Sequence, residues 1–219
     1  GNHIVYLIHG HGSPKFVLNK IERSLNKSGF KTLNYGYNSL YVELDELGRL
    51  LYDNILNSGY DSISFVTHSM GAIVVRSMLQ YYDESKKQPV LFRMVMIAPP
   101  NKGAEIADVY SRSAFTKWIM GPNIELLKTD SSSYVNKLPV PRSSEVAVIA
   151  GMKGTEKGYN HRIKGDNDGR LKPERTTLGI EKEVAVFHDE HTMMTQNKKA
   201  IAMIVEFMKY GYFITKVKN

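Results

Sequence analysis

The sequence predicts an α/β fold built on a mostly parallel six-stranded sheet with helices on both faces. Three observations carry that expectation. Short β-rich apolar runs alternate with segments of helical period, the pattern of parallel strands joined by crossover helices. The chain has 219 residues, a length suited to one domain of this class, so residues 1–219 are read as a single unit. No internal repeat is present, and only two stretches, residues 99–145 and 151–179, break the alternation.

The elements follow in order. Residues 3–9 (HIVYLIH) read as a buried strand. Ser13 and Pro14 suit an N-cap and a first helical position, and Val17, Ile21 and Leu25 give that helix a core stripe ending at Gly29. Residues 32–37 are a second strand, followed by a long helix whose apolar face is Leu40, Leu44, Leu47, Leu51 and Ile55. Residues 63–67 form a third strand. The run 71–79 is apolar on nearly every side, as a helix buried on more than one face must be. Residues 91–98, 146–150 and 184–187 complete the strands. A last amphipathic helix turns Ile201, Ile204, Val205 and Met208 inward. The two irregular stretches are expected at the C-terminal edge of the sheet, where sites of α/β proteins lie, with residues 101–145 as a small cover segment.

Composition narrows the functional classes. The absence of cysteine excludes disulfides, thiolate metal sites and a cysteine nucleophile. The longest uncharged run, from Ser62 to Val75, is interrupted by polar residues and falls short of the roughly 20 apolar residues a membrane helix needs. Lysine and arginine number 29 against 22 acidic residues, for a net charge of +7. That balance admits an anionic membrane surface as a partner. The basic residues are dispersed, with no run longer than two and no RNA-binding signature, so nucleic acid is not expected. The chain enters its first strand directly after Gly1 and Asn2, so an export or anchor segment upstream is compatible with it. The sequence fixes neither compartment nor oligomeric state.

The most informative segment is Phe65-Val66-Thr67-His68-Ser69-Met70-Gly71-Ala72. It sets a serine between a strand and a buried helix, a sharp turn that exposes the hydroxyl above the sheet. Gly71 allows strand and helix to approach closely, and the helix N-terminus points N–H groups at an anion formed beside Ser69. Thr67 departs from the usual G-x-S-x-G. The second segment, Ile8-His9-Gly10-His11-Gly12, ends the first strand in a glycine-bordered turn. There the N–H of His11 can join that of Met70 as a two-donor oxyanion hole. A dinucleotide turn would need a third glycine where Lys15 stands and an acidic residue after the next strand, and both are missing.

A serine nucleophile needs a base, and the base a carboxylate. Gly165-Asp166-Asn167-Asp168-Gly169 and Phe187-His188-Asp189-Glu190-His191-Thr192 supply candidates for both. His191 is favoured over His188, whose direction is fixed by the strand beside it. Asp168 is favoured over Asp166, because Gly169 frees its turn. Ser69, Asp168 and His191 then stand in the chain order nucleophile, acid, base. A calcium loop is disfavoured, since Lys164 occupies its first ligand position. His68 is expected to turn away from the catalytic face. Asp189 and Glu190 are read as solvated charges. Phe115, Trp118 and Ile119 can be either core or an acyl-binding wall.

The stretches VYLIHGHG, FVTHSMGAIVVR, MIAPPNKG, VIAG, NDGRL and HTMM run in family order along almost the whole chain. The sequence thus resembles a bacterial α/β-hydrolase of the lipase/esterase type. The resemblance implies a minimal version of that fold, lacking the two antiparallel strands that open many larger members. It implies Ser69 as nucleophile, Asp168 as acid, His191 as base and main-chain donors from His11 and Met70. The expected activity is hydrolysis of carboxylic esters of lipid or other apolar acyl groups, with no cofactor and no metal. An acyltransferase or amidase on the same fold is the alternative, and a silent binding module is a third reading that the complete serine, aspartate and histidine set argues against.

Overall fold

The computed structural model describes residues 1–218. Six parallel strands form one sheet: β1 (His3–Ile8), β2 (Thr32–Tyr35), β3 (Ser62–His68), β4 (Val90–Ile97), β5 (Glu145–Met152) and β6 (Glu183–His188), in the order β2-β1-β3-β4-β5-β6. Parallel strands need crossovers, and α1 (Asn19–Lys27), α2 (Leu44–Leu56) and α3 (Gly71–Met78) supply those from β1 to β4, while α7 (Lys198–Tyr210) follows β6 and packs back onto the sheet. Between β4 and β5 the chain makes an excursion with three short helices, α4 (Glu105–Tyr110), α5 (Ala114–Met120) and α6 (Asn123–Leu126).

The two faces of the sheet are covered by different helices. Alternation along β1 sends Ile4, Tyr6 and Ile8 toward α2 and α3, and Val5 and Leu7 toward α1 and α7. All eight residues of α3 are buried, as an all-round apolar helix requires. Gly48 of α2 is what lets the two helices touch, since a Cβ there would stand 2.6 Å from the backbone carbon of Ser77. No helix among the described residues is long and apolar enough to cross a membrane.

Three expectations on element ends need correction. Pro14 is extended (ψ 150°) rather than helical, so Ser13 caps nothing, and a 3-10 turn at Lys15–Leu18 precedes α1. Leu40 lies outside α2, in the turn before it. The second strand stops at Tyr35. The Gly29 end holds, with φ of 91° after α1, and Gly59 takes φ of 76° after α2.

A buried cation ties the excursion to the sheet. Arg76, 2% exposed on α3, donates from Nη1 to the carbonyl of Asn101 (2.9 Å), from Nη2 to Leu138 (3.0 Å) and from Nε to Pro139 (3.0 Å). Burial without a carboxylate partner pulls its pKa down to about 10. Both ends of the excursion are thereby held to the helix that follows Ser69.

Candidate active site

Ser69 sits at the turn from β3 to α3 with φ of 53°, a left-handed backbone that costs a non-glycine residue roughly 1–2 kcal/mol. The turn is held by its neighbours. The Ser69 N–H donates to the carbonyl of Ile97 at 2.8 Å, and Ala72 N–H returns to the Ser69 carbonyl. Gly71 admits no side chain, because a Cβ would lie 2.2 Å from the carbonyl oxygen of Ile8. Strand β1 and the start of α3 are in backbone contact there, which brings the His9–Gly12 turn beside the serine.

The acid and base candidates come from the loops after β5 and β6. His191 Nδ1 faces Asp168 Oδ2 at 2.7 Å, and the His191 N–H donates to the Asp168 carbonyl at 2.9 Å. The remaining oxygen of Asp168 accepts from the N–H groups of Arg170 (2.9 Å) and Leu171 (3.0 Å). With both side chains buried, this carboxylate is satisfied by one imidazole N–H and two amides. Donation from Nδ1 leaves the lone pair of a neutral His191 ring on Nε2. The other candidates are engaged elsewhere. Asp166 accepts from the N–H groups of Lys153 and Gly154 (2.9 and 2.8 Å), and exposed His188 lies against Gly154.

These pieces meet at one cavity of about 410 Å³ at the C-terminal edge of the sheet. Ser69, His191, His11 and Met70 line it beside apolar side chains from the excursion, among them Ile106, Tyr110, Met120 and Leu127. The amide N–H groups of His11 and Met70 donate to no other described residue. Ser69 Oγ likewise makes no hydrogen bond within the described residues, which leaves it free to engage a ligand and the ring together. No group of three or more histidine, aspartate or glutamate side chains is placed to hold a metal ion among the described residues.

The structure revises three readings. His68 does not turn away from the site: its ring centroid lies 4.9 Å from that of His191, and its Nε2 meets the His191 carbonyl at 3.0 Å. The period of two puts His68 on the α1/α7 face with Val66, and the His191 loop comes over the sheet edge from that face. Full burial pushes the His68 pKa down to about 3, so the ring is neutral, with its proton on Nε2 and a buried, unpartnered Nδ1. Asp189 and Glu190 are structural rather than merely solvated. Glu190 accepts from the N–H groups of Thr192 and Met193, and Asp189 from Glu190 N–H and Asn197 Nδ2.

Phe115, Trp118 and Ile119 lie outside the cavity, on the exposed side of α5, with Trp118 79% exposed. A two-turn helix with apolar residues on both faces does not declare which face turns inward, and here it is Met120 that does. The His11 ring donates from Nε2 to the Met120 carbonyl at 2.6 Å, joining the glycine-bordered turn to the excursion. Sequence reasoning missed Tyr110 and Arg170 as cavity residues. For Arg170 a signal existed, since it stands two positions after Asp168.

Sheet order, strand direction and the serine turn define an α/β-hydrolase fold. Solved structures of lipases and esterases share it. The mature lipase BlEst2 of Bacillus licheniformis superposes with a TM-score of 0.72 at 16% identity over 97% of this chain and 93% of its own. Against its propeptide form the chain covers 51% of that protein. The phospholipase PlaB of Legionella pneumophila gives 0.62 at 21% identity, over 81% of this chain and 46% of that one. The metagenomic carboxyl esterase MGS0156 gives 0.64 at 14% identity, over 87% and 64%. No protein-family model and no curated protein matches the sequence.

Proposed function

We propose that the protein is a serine hydrolase of carboxylic esters with apolar acyl groups, working through Ser69, His191 and Asp168. What supports the reading most is the convergence on one cavity of the strained serine, the Asp168-held imidazole and two free amides. The names of the structural neighbours agree with it.

The chemistry follows from those positions. Ser69 Oγ attacks the ester carbonyl while its proton passes to His191 Nε2. Asp168 holds the ring through Nδ1–H and stabilises the imidazolium that forms. The tetrahedral oxygen collects the N–H groups of His11 and Met70, each worth roughly 100- to 1,000-fold in rate. Collapse breaks the bond to the alcohol, which leaves with the proton from His191. Water, deprotonated by the same ring, then attacks the acyl-Ser69 ester and releases the acid. The apolar wall built from the excursion accommodates the acyl chain.

The test is covalent labelling with a fluorophosphonate, followed by nitrophenyl esters of increasing chain length. Wild type should label once and hydrolyse the esters, and Ser69→Ala should do neither. Labelling of Ser69→Ala at wild-type stoichiometry would refute the assignment. Faster transfer to an added alcohol than to water would make the protein an acyltransferase.

A further inference from the structure

Arg170 is a charged side chain that the reaction above does not use. Its backbone is fixed at both ends: the N–H donates to Asp168 Oδ1 at 2.9 Å, and the carbonyl accepts from Ile106 N–H at 3.0 Å. That pins its Cα between the acid loop and α4, at the rim of the cavity that Arg170 helps to line. Arg170 is solvent-exposed, and its guanidinium forms no ion pair with a described residue. The carboxylates of the flanking segments have other partners. Glu105 is held by Arg175 Nε at 2.8 Å, Asp108 by Thr129, and Glu190 by the N–H groups of Thr192 and Met193.

The charge is also felt inside the cavity. Burial is the main reason the pKa values of His11 and His68 are lowered, and the positive charge of Arg170 lowers both further. Its field therefore reaches both walls flanking Ser69. Among the described residues lining this cavity Arg170 is the only lysine or arginine, and none is an aspartate or glutamate. The rest of the lining includes apolar residues such as Ile106, Met120 and Leu127. An apolar trough with one free guanidinium at its rim matches a molecule that is apolar at one end and anionic at the other. A planar fork of N–H donors suits a carboxylate or phosphate better than any neutral group.

Resting on the ester-hydrolase reading of this cavity, we propose that Arg170 selects esters that carry an anionic group, a carboxylate or a phosphate, within reach of the scissile carbonyl. The guanidinium holds that group at the rim while the acyl chain lies along the apolar wall. It takes no part in bond making or breaking.

Three butyrate esters of one shape test this: 4-carbamoylphenyl, 4-carboxyphenyl and 4-phosphonooxyphenyl butyrate, the first neutral and the others anionic. The quantity read is the kcat/KM of each anionic ester divided by that of the neutral one, compared between wild type and Arg170→Lys, Arg170→Gln and Arg170→Glu. Taking the ratio against wild type cancels differences in leaving-group chemistry. Arg170→Gln should lower the ratio about tenfold, a size suited to one charge-assisted contact at an exposed rim. Arg170→Glu should lower it further and Arg170→Lys should keep most of it. A fall for one anionic ester alone would identify which anion is recognised. Ratios within twofold of wild type in both Arg170→Gln and Arg170→Glu, with the neutral ester still turned over, would overturn the proposal and leave the hydrolase reading standing. Failure of wild type to cleave any of the three, with no labelling at Ser69, would overturn both.

Discussion

His68 donates its Nε2–H to the backbone carbonyl of His191 across 3.0 Å, and the two rings lie 4.9 Å apart. The residue before the serine thus helps to set the height of the loop that carries the proposed base. His68→Leu removes the donor and His68→Gln keeps an N–H at similar reach. Loss of one buried hydrogen bond corresponds to about tenfold in rate if it acts through the base. His68→Leu should therefore lower kcat by about that factor at nearly constant KM, and His68→Gln should recover most of it. Equal losses in the two variants would reduce His68 to simple packing.

The same ring predicts how stability depends on pH. Its folded pKa is about 3, against an unfolded value of about 6.5. Between those limits the unfolded chain binds a proton that the folded chain does not. The contribution is therefore complete above pH 6.5 and is lost as pH falls toward 3. Burial lowers the pKa values of His3, His9 and His11 in the same sense. Urea unfolding at pH 7, 5.5 and 4.5 should show stability falling with acidity. His68→Gln should flatten the slope by about one proton, or about 1.4 kcal/mol per pH unit. Identical slopes in the two proteins would show that His68 does not resist protonation.

Thr67 carries a different burden. It is fully buried, and its Oγ1 has no hydrogen-bond partner among the described residues. A hydroxyl left in that state costs about 1–3 kcal/mol. Thr67→Val keeps the shape and removes the polar atom, so it should stabilise the fold by about 1 kcal/mol. In thermal unfolding this would raise Tm by about 2–4 °C for a chain of this size. A lower Tm would mean that the hydroxyl has a partner in solution.

The competing acids give a sharp kinetic contrast. Asp168 holds the His191 ring, whereas Asp166 holds two amides at the end of β5. Asp168→Asn should cost about four orders of magnitude in kcat, because an amide no longer fixes the tautomer of the ring. Asp166→Asn should change activity far less and show mainly as a lower Tm. The reverse ranking, measured on one ester, would move the acid role to Asp166.

How much of this was legible before the structure depends on the physics behind each feature. Dense apolar runs made the strands and α3 readable, and Val66, Ile73 and Val74 are all fully buried. The serine turn was readable because Gly71 is demanded by backbone contact with Ile8, a constraint that leaves a mark in sequence. Two kinds of feature left no such mark. Ser13-Pro14 looked like a helix start, yet Pro14 serves equally well in the extended segment before a 3-10 turn. Trp118 was set by tertiary context: α5 has no buried residue, so its apolar stripe could not reveal which neighbour would cover it. His68 was misread because strand alternation gives the face of a side chain but not which distant loop arrives there.

The joint between α5 and α6 links the excursion to the proposed oxyanion turn. Gly121 has φ of 81°, and a Cβ on it would fall 1.9 Å from the carbonyl oxygen of Leu40. Next to it, the Met120 carbonyl accepts from the His11 ring at 2.6 Å. Two residues on, fully buried Asn123 accepts from Leu44 N–H and donates to the carbonyls of Ser39 and Val42. Asn123 anchors the joint, while Gly121 sets how closely it approaches. Gly121→Ala must open the contact with Leu40, because both the space and the backbone angle oppose a side chain. The Met120 carbonyl then moves off the His11 ring, and with it goes one restraint on the His11 amide. The expected outcome is a fall in kcat of about tenfold or more, since a displaced donor forfeits part of the roughly 100-fold or greater effect of a whole one. His11→Leu, which removes the ring but keeps the amide, should fall in the same direction by a smaller factor. Far-UV circular dichroism should remain that of wild type in both, because the sheet and α3 are untouched. Wild-type kcat in Gly121→Ala would show that the excursion does not hold the His11 turn in place.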